Sequence, residues 1–177
     1  ILFILYFSWT RKMHILWLLD RLSIAIPIAA ALVRIGNLMN HEIVGSITQV
    51  PWAFNFTLGG LGVENTFRHP AQLYESVVYL LLFVGLVIYY FKFARGKVPA
   101  GSVTGMLLLV IFTARFIIEF FKEVQVAKEI QLIESIGLNI GQLLSIPFIL
   151  IGIGLIIYAF RKKEYPSYVE VLKAKKK

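Results

Sequence analysis

The hydrophobic pattern of the chain is a series of long uncharged runs divided by short polar or basic segments. A helix needs about 20 mostly apolar residues to cross a hydrocarbon core of about 30 Å. Four runs approach or exceed that length, at residues 15–33 (interrupted by Asp20 and Arg21), 76–91, 98–121 (interrupted by Arg115 and Glu119) and 135–160. Residues 1–10 form a shorter apolar stub. The pattern therefore predicts about four whole membrane-spanning helices preceded by a truncated one.

A further uncharged run, at residues 43–63, is not predicted to span a membrane. It contains Pro51 and Asn55 together with glycines at positions 59, 60 and 62. An irregular backbone of this kind would leave unpaired N–H and C=O groups in lipid. We therefore predict that residues 41–70 form a small extracytoplasmic head segment with hairpin character.

Composition supports a membrane fold. The chain is 58% hydrophobic and 16% charged, whereas soluble domains are roughly 45–50% apolar and about 25% charged. We predict an all-α integral membrane protein, a polytopic helical bundle in which residues 1–177 form a single transmembrane domain. Because Ile1 lies inside an apolar run, we expect the C-terminal part of a longer chain. The absence of cysteine excludes disulfides and thiolate ligands, and we expect neither a metal nor a cofactor.

The formal net charge is +8, and its distribution predicts the orientation. If the stub exits to the cytoplasm, thirteen Lys and Arg residues fall on that side and four on the other, with Arg115 inside a span. The positive-inside rule then places the C-terminus in the cytoplasm. Residues 161–177 form a basic cytoplasmic tail. Such a tail can bind nucleic acid or anionic lipid, but a solvated topogenic tail is the favoured interpretation, with no nucleic-acid partner.

Two arginines lie in or at the end of predicted membrane spans, where burial of a charge costs free energy. Arg34 closes the second span, and Arg115 lies well inside a later one. Arginine at such depth usually faces a cavity or a partner. Glu119 follows Arg115 by one helical turn, so the two can pair. Both a structural and a functional interpretation of this pair remain open.

The segment that follows Arg34 is unlike an ordinary linker. It carries glycine, amide and carboxylate residues, namely Gly36, Asn37, Asn40, Glu42 and Gly45. A planar guanidinium beside amide donors at headgroup depth suits a phosphodiester, which needs bidentate hydrogen bonds and charge compensation. We therefore predict a phospholipid headgroup site. His41 lies within this segment, and His69 lies in a polar cluster at residues 68–75; a structural role is favoured for His69.

Four blocks together resemble the prolipoprotein diacylglyceryl transferase family. Residues 34–45 (RIGNLMNHEIVG) are similar to its signature, and residues 68–75 (RHPAQLYE) to its R-H-P-S-Q-L-Y-E motif. Residues 115–123 (RFIIEFFKE) and 141–147 (GQLLSIP) are similar to its R-F-x-x-E-F-x-R-E and G-Q-x-L-S-x-P motifs. The blocks occur in the family's order and cover most of the chain.

The resemblance implies an enzyme. The family transfers the diacylglyceryl group of phosphatidylglycerol to the lipobox cysteine thiol of a prolipoprotein, at the outer face of the bacterial inner membrane. The implied partners are therefore phosphatidylglycerol, a lipobox peptide and the membrane. The implied substrate-binding residues are Arg34, Asn37, Asn40 and Gly45. The implied catalytic residues are Arg34, Glu42, Arg115 and Glu119.

The chain departs from the family pattern at several positions. Val33 replaces a glycine, Leu38 a phenylalanine and Lys122 an arginine. The family's H-G-G-L motif, whose histidine is a candidate base, does not occur in these residues. The proton acceptor is thus open between Glu42, Glu119 and that histidine, unless His41 or His69 substitutes.

Two alternative functions have other sequence requirements. A different anionic-lipid headgroup transferase would need a D-x-D carboxylate pair or an H-x₄-D motif, and the sequence shows neither. A non-enzymatic transporter subunit, with the two arginines along an anion path, would show inverted repeats. No convincing internal repeat is evident.

Overall fold

The computed structural model describes residues 2–11, 13–56, 66–95, 97–122 and 137–165. Its helices are α1 (Leu2–Arg11), α2 (Ile15–Met39), α3 (Ala71–Ile88), α4 (Ser102–Ile118) and α5 (Ile140–Lys162). A π-helical turn, Tyr89–Phe93, extends α3, and a 3₁₀ turn, Glu119–Phe121, extends α4. With these extensions, α2 to α5 are long and apolar enough to cross a membrane. The predicted helical membrane fold is confirmed.

The boundaries differ from the hydrophobic pattern mainly in α2. The pattern ends this span near Val33, but the helix continues to Met39. Arg34 and Asn37 therefore lie on a regular helix, one turn apart on one side. The predicted start of the last span, residue 135, lies outside the described residues.

Helices α4 and α5 cross closely through two glycines. A Cβ on Gly152 would lie 2.8 Å from the backbone nitrogen of Leu109, and one on Gly105 would lie 2.9 Å from the carbonyl oxygen of Gly152. Small residues let helices approach in this way, which is common where lipid supplies no hydrophobic driving force. Helix α2 packs along α3, where the Ser76 hydroxyl donates to the Ala31 carbonyl at 3.2 Å.

A buried carboxylate joins α2 to the start of α4. Asp20 is fully buried and accepts hydrogen bonds from the backbone N–H groups of Gly101 (2.7 Å) and Thr104 (2.9 Å) and from the Thr104 hydroxyl (2.9 Å). The first N–H groups of a helix have no partner within the helix. Asp20 thus caps α4 from a neighbouring helix and fixes the end of the bundle farthest from Arg34.

Between α2 and α3 the chain forms a small sheet. Strand β1 (Phe54–Asn55) pairs antiparallel with β2 (Phe67–Arg68), in the register Phe54 opposite Arg68 and Asn55 opposite Phe67. Single bridges join Ile47 to Arg68 and Gly45 to Lys122. The sheet therefore ties the ends of α2 and α4 to the start of α3. The extracytoplasmic position of this head segment stays a prediction.

Candidate functional site

Arg34 and Glu75 form the centre of a charged cluster at the head end of the bundle. The Nε atom of Arg34 lies 2.5 Å from Oε2 of Glu75, a residue of α3 whose side chain is fully buried. The contact is an ion pair rather than an aligned hydrogen bond, because Glu75 Oε2 has no hydrogen-bond donor in the described part of the chain. Burial of a carboxylate is costly unless a cation compensates it. Arg34 supplies one such cation.

Lys122 supplies a second cation to Glu75. Its Nζ atom donates to Glu75 Oε1 at 3.0 Å and to Glu119 Oε2 at 3.1 Å, and only 8% of its side chain is exposed. Glu75 therefore lies between two cations, and Lys122 between two carboxylates. We call Arg34, Glu75, Glu119 and Lys122 the ion cluster. It joins α2, α3 and the end of α4.

The expected pairing of Arg115 with Glu119 is not found among the described residues. Glu119 pairs with Lys122 instead. The helix tightens into a 3₁₀ turn at Glu119, and side chains three residues apart eclipse in that geometry. Arg115 lies on α4 one helical turn before Glu119. Arg34 is thus a member of the ion cluster, and Arg115 lies one turn from another member.

The start of α5 completes the cluster. Asn139 accepts from the Gln142 backbone N–H at 2.8 Å, while the Gln142 side chain accepts from the Asn139 N–H at 3.0 Å, a reciprocal capping box. A Cβ on Gly141 would lie 2.6 Å from the carboxyl carbon of Glu119. Glycine at this position therefore leaves the space that the Glu119 carboxylate occupies.

The predicted headgroup segment after Arg34 is partly structural. A Cβ on Gly45 would collide with the carbonyl of His69 and lie 2.7 Å from that of Phe121, so Gly45 permits close strand contact. The Glu42 carbonyl accepts from Gln72 at 2.5 Å. Within the described ranges, the side chains of Asn37, Asn40 and Glu42 make no hydrogen bond or ion pair to the ion cluster. Asn40 and Glu42 are exposed.

His69 is held by aromatic neighbours beside the cluster. Its Nδ1 atom lies 3.0 Å from the Tyr74 hydroxyl, which also accepts from Trp52 Nε1 at 2.8 Å. Its ring packs edge-on against Phe121, one residue before Lys122. The Tyr74 oxygen already accepts a hydrogen bond from Trp52, so its hydroxyl group is free to donate a hydrogen bond to His69 Nδ1. These contacts agree with the structural role that the sequence favoured for His69.

Sequence reasoning missed two members of the cluster. The sequence pattern gives Glu75 only as part of the polar cluster at residues 68–75, and Lys122 only as a departure from a family pattern. The available signal was their position inside two of the four motif blocks. A carboxylate at the start of an apolar run needs a buried partner, and that partner comes from other helices.

A groove between α3 and α4 opens beside the cluster. It measures about 550 Å³ and is lined by Val78 and by α4 side chains between Leu109 and Ile118. Its lining is apolar except for Thr113. Val78 lies three residues after Glu75 on α3, and Ile118 directly precedes Glu119, so one end of the groove lies within about one helical turn of the ion cluster.

Comparison with known proteins agrees with the motif blocks. Residues 1–158 match the family model described as prolipoprotein diacylglyceryl transferase. Relatives named phosphatidylglycerol–prolipoprotein diacylglyceryl transferase include those of Porphyromonas gingivalis (45% identical; 86% of this chain, 55% of the relative), Bacteroides fragilis (43%; 86% and 52%) and Chloroherpeton thalassium (39%; 90% and 56%). The chain spans about half the length of these curated relatives. It belongs to the prolipoprotein diacylglyceryl transferase family.

Proposed function

We propose that the full-length protein transfers the diacylglyceryl group of phosphatidylglycerol to the lipobox cysteine thiol of a prolipoprotein. Family membership and the names of the relatives support this activity. The structural observation that carries it is the contact of Arg34 with buried Glu75, which Lys122 shares. The pairing holds a guanidinium at a fixed place near one end of a membrane bundle.

The reaction is a substitution at carbon. The thiolate sulfur attacks the glycerol carbon that carries the phosphate, so a C–S bond forms and a C–O bond breaks. Glycerol phosphate leaves with the bonding electron pair, and the thiol proton passes to a base. Fixed cations that face the developing phosphate charge lower the barrier to such a step.

The charge balance of the site suits this substrate. Arg34, Arg115 and Lys122 carry three positive charges, and Glu75 and Glu119 carry two negative ones. These five side chains together carry +1, opposite in sign to the single negative charge of a phosphodiester; Glu42, exposed beyond the end of α2, is not included in this sum. In the described ranges, no carboxylate pairs with Arg115 or with the terminal nitrogens of Arg34. These donors are the ones we assign to the phosphate.

The remaining residues take supporting roles in this proposal. Asn37, Asn40 and Gly45 shape the headgroup site around Arg34. Glu42 and Glu119 are the carboxylates of this chain that we assign to proton transfer. Glu119 is fixed by Lys122 and by the space at Gly141, and Glu42 stands exposed just beyond the end of α2.

We assign the apolar groove between α3 and α4 to an acyl chain of the substrate. An acyl chain of phosphatidylglycerol would lie between α3 and α4, while its headgroup meets the cluster. The groove volume of about 550 Å³ is within the range of small-molecule sites.

The proposed location is the bacterial inner membrane, in a multi-pass arrangement. The Lys and Arg asymmetry supports a cytoplasmic C-terminus. The head segment and the ion cluster then face the extracytoplasmic side, where prolipoproteins are modified.

The test uses full-length protein in vesicles with phosphatidylglycerol and a lipobox peptide. We expect Arg34→Ala and Arg115→Ala each to lower transfer by about 100-fold or more, because each removes a cation that the proposal assigns to the phosphate. Mass spectrometry of the peptide measures the diacylglyceryl adduct. Arg21→Ala is the matched control, since Arg21 lies on α2 at the opposite end, over the Trp17 ring. Transfer at the wild-type rate in either test variant would refute the assignment.

A further inference from the structure

A second groove lies on α5, far from the ion cluster. It measures about 470 Å³ and is lined by Gly154, Ile157, Tyr158, Arg161 and Lys162. Arg161 is twenty residues beyond Gly141, which corresponds to about 30 Å along a helix at 1.5 Å per residue. The groove is therefore a separate feature from the candidate active site.

The groove faces away from the bundle. Gly152 and Ile156 pack against α4, and Ala159 on the same side is buried. At about 100° per residue, Gly154 and Arg161 fall on the opposite side of the helix. Leu150, one turn deeper on that side, is 62% exposed. Among the described residues, no other element covers this face of α5.

The floor of the groove is Gly154. A Cβ at this position would meet no atom within 4 Å in the described part of the chain. The packing of α5 therefore does not require a glycine here, in contrast to Gly152. The missing side chain leaves an open apolar notch below Ile157 and Tyr158.

The rim of the groove is cationic. Lys162 donates to the Tyr158 hydroxyl at 3.0 Å and pairs with Glu164 at 3.1 Å, and its Nζ lies 5.3 Å from the Tyr158 ring centre. Arg161, also on the rim, makes no hydrogen bond or ion pair with other residues in the described ranges. Two cations against one carboxylate leave the rim with a charge of +1.

We propose that this groove binds an anionic phospholipid from the leaflet at the C-terminal end of α5. The lipid phosphate contacts Arg161 beside Lys162, and an acyl chain crosses Gly154 toward Leu150. Cations at a helix C-terminus also compensate the helix dipole, but that role needs no apolar notch beneath them. A zwitterionic lipid carries a cation in its own headgroup, so its electrostatic attraction to this rim is weaker.

The cysteine-free sequence makes a site-specific test possible. A Leu150→Cys variant of the chain is labelled with bimane and placed in phosphatidylcholine vesicles that contain brominated-chain phosphatidylglycerol or brominated-chain phosphatidylcholine. We expect the bimane to be quenched with about fivefold preference for phosphatidylglycerol, the effect of about one favourable cation at a membrane surface. Added inorganic phosphate should not reduce quenching, since the ligand is a lipid.

Matched variants complete the test. Arg161→Gln should abolish the preference, while Lys163→Gln, which removes the same charge outside the groove, should retain it. Gly154→Leu should weaken quenching by phosphatidylglycerol while leaving the charge unchanged. Any of four results would overturn the proposal. These are equal quenching by both lipids, equal effects of the two glutamine variants, competition by inorganic phosphate, and no quenching because protein covers this face. Lipid transfer by the full-length protein should be unchanged in Arg161→Gln, which separates this site from the proposed activity.

Discussion

Arg34 and Glu75 come from different helices and meet with 2.5 Å between Nε and Oε2. The carboxylate is fully buried, and the arginine side chain is 16% exposed. The Glu75 side of the pair is therefore buried, whereas the Arg34 side is accessible and can bind a ligand. The same contact fixes the position of the guanidinium and limits the charge available for a phosphate.

We expect Glu75→Gln to destabilise the protein. The change leaves Arg34 and Lys122 without their shared carboxylate, and breaking a buried pair typically costs about 3–5 kcal/mol. Thermal unfolding in detergent measures the loss. Glu164→Gln, at an exposed ion pair with Lys162, is the control and should change the melting temperature little. A melting temperature for Glu75→Gln equal to that of the control would contradict a stabilising role for the cluster.

A lysine at position 34 should preserve charge but not function. An ammonium lacks the planar fork of a guanidinium, so it cannot keep one nitrogen on Glu75 while two others bind a phosphate bidentately. Loss of one charge-assisted hydrogen bond costs about 1.5–3 kcal/mol, or roughly 10- to 100-fold in transfer rate. The measurement is adduct formation on a lipobox peptide by full-length protein. Full activity of Arg34→Lys, with Arg21→Lys as control, would show that charge alone suffices.

Gly141→Ala tests the space beside Glu119. Its Cβ would lie 2.6 Å from the Glu119 carboxyl carbon, so the carboxylate must move and its bond with Lys122 must weaken. We expect a lower melting temperature and a loss of transfer activity. Gly85→Ala, in α3, is the matched control because, apart from its own helix backbone, the described residues place no atom within 4 Å of the added Cβ. That control should be neutral or more stable, since alanine is favoured over glycine in helices by about 1 kcal/mol. Equal behaviour of the two variants would refute the steric argument.

Asp20→Ala tests the cap at the other end of the bundle. It removes the acceptor for two backbone N–H groups and one hydroxyl at the start of α4. We expect a loss of about 1–3 kcal/mol in stability, which is typical when buried donors lose their partner. Asp20→Asn should recover part of the loss because its amide oxygen still accepts. Thermal unfolding compares the three proteins, and identical curves would show that Asp20 does not cap α4.

Several features follow from the sequence alone. Long apolar runs predict the membrane helices because backbone groups in lipid must be paired within the segment. Pro51 and the glycines near position 60 predict that residues 41–70 form a head segment and not a further span. The motif blocks identify the family, and they place Arg34, Arg115 and Glu119 among the candidate residues. Each of these inferences depends on residues that are near in sequence or on the overall hydrophobicity of a run.

The partners of those residues are decided only by the tertiary structure. Helical spacing suggested that Glu119 pairs with Arg115, but the 3₁₀ turn directs it to Lys122. Spacing gave no indication that Glu75 pairs with Arg34, because the contact depends on how α2 packs along α3. A buried charge takes whichever opposite charge the folded helices place next to it, since desolvation makes an unpaired ion costly. The sequence thus determined which segments cross the membrane and which family the chain resembles, whereas helix packing determined which charges meet.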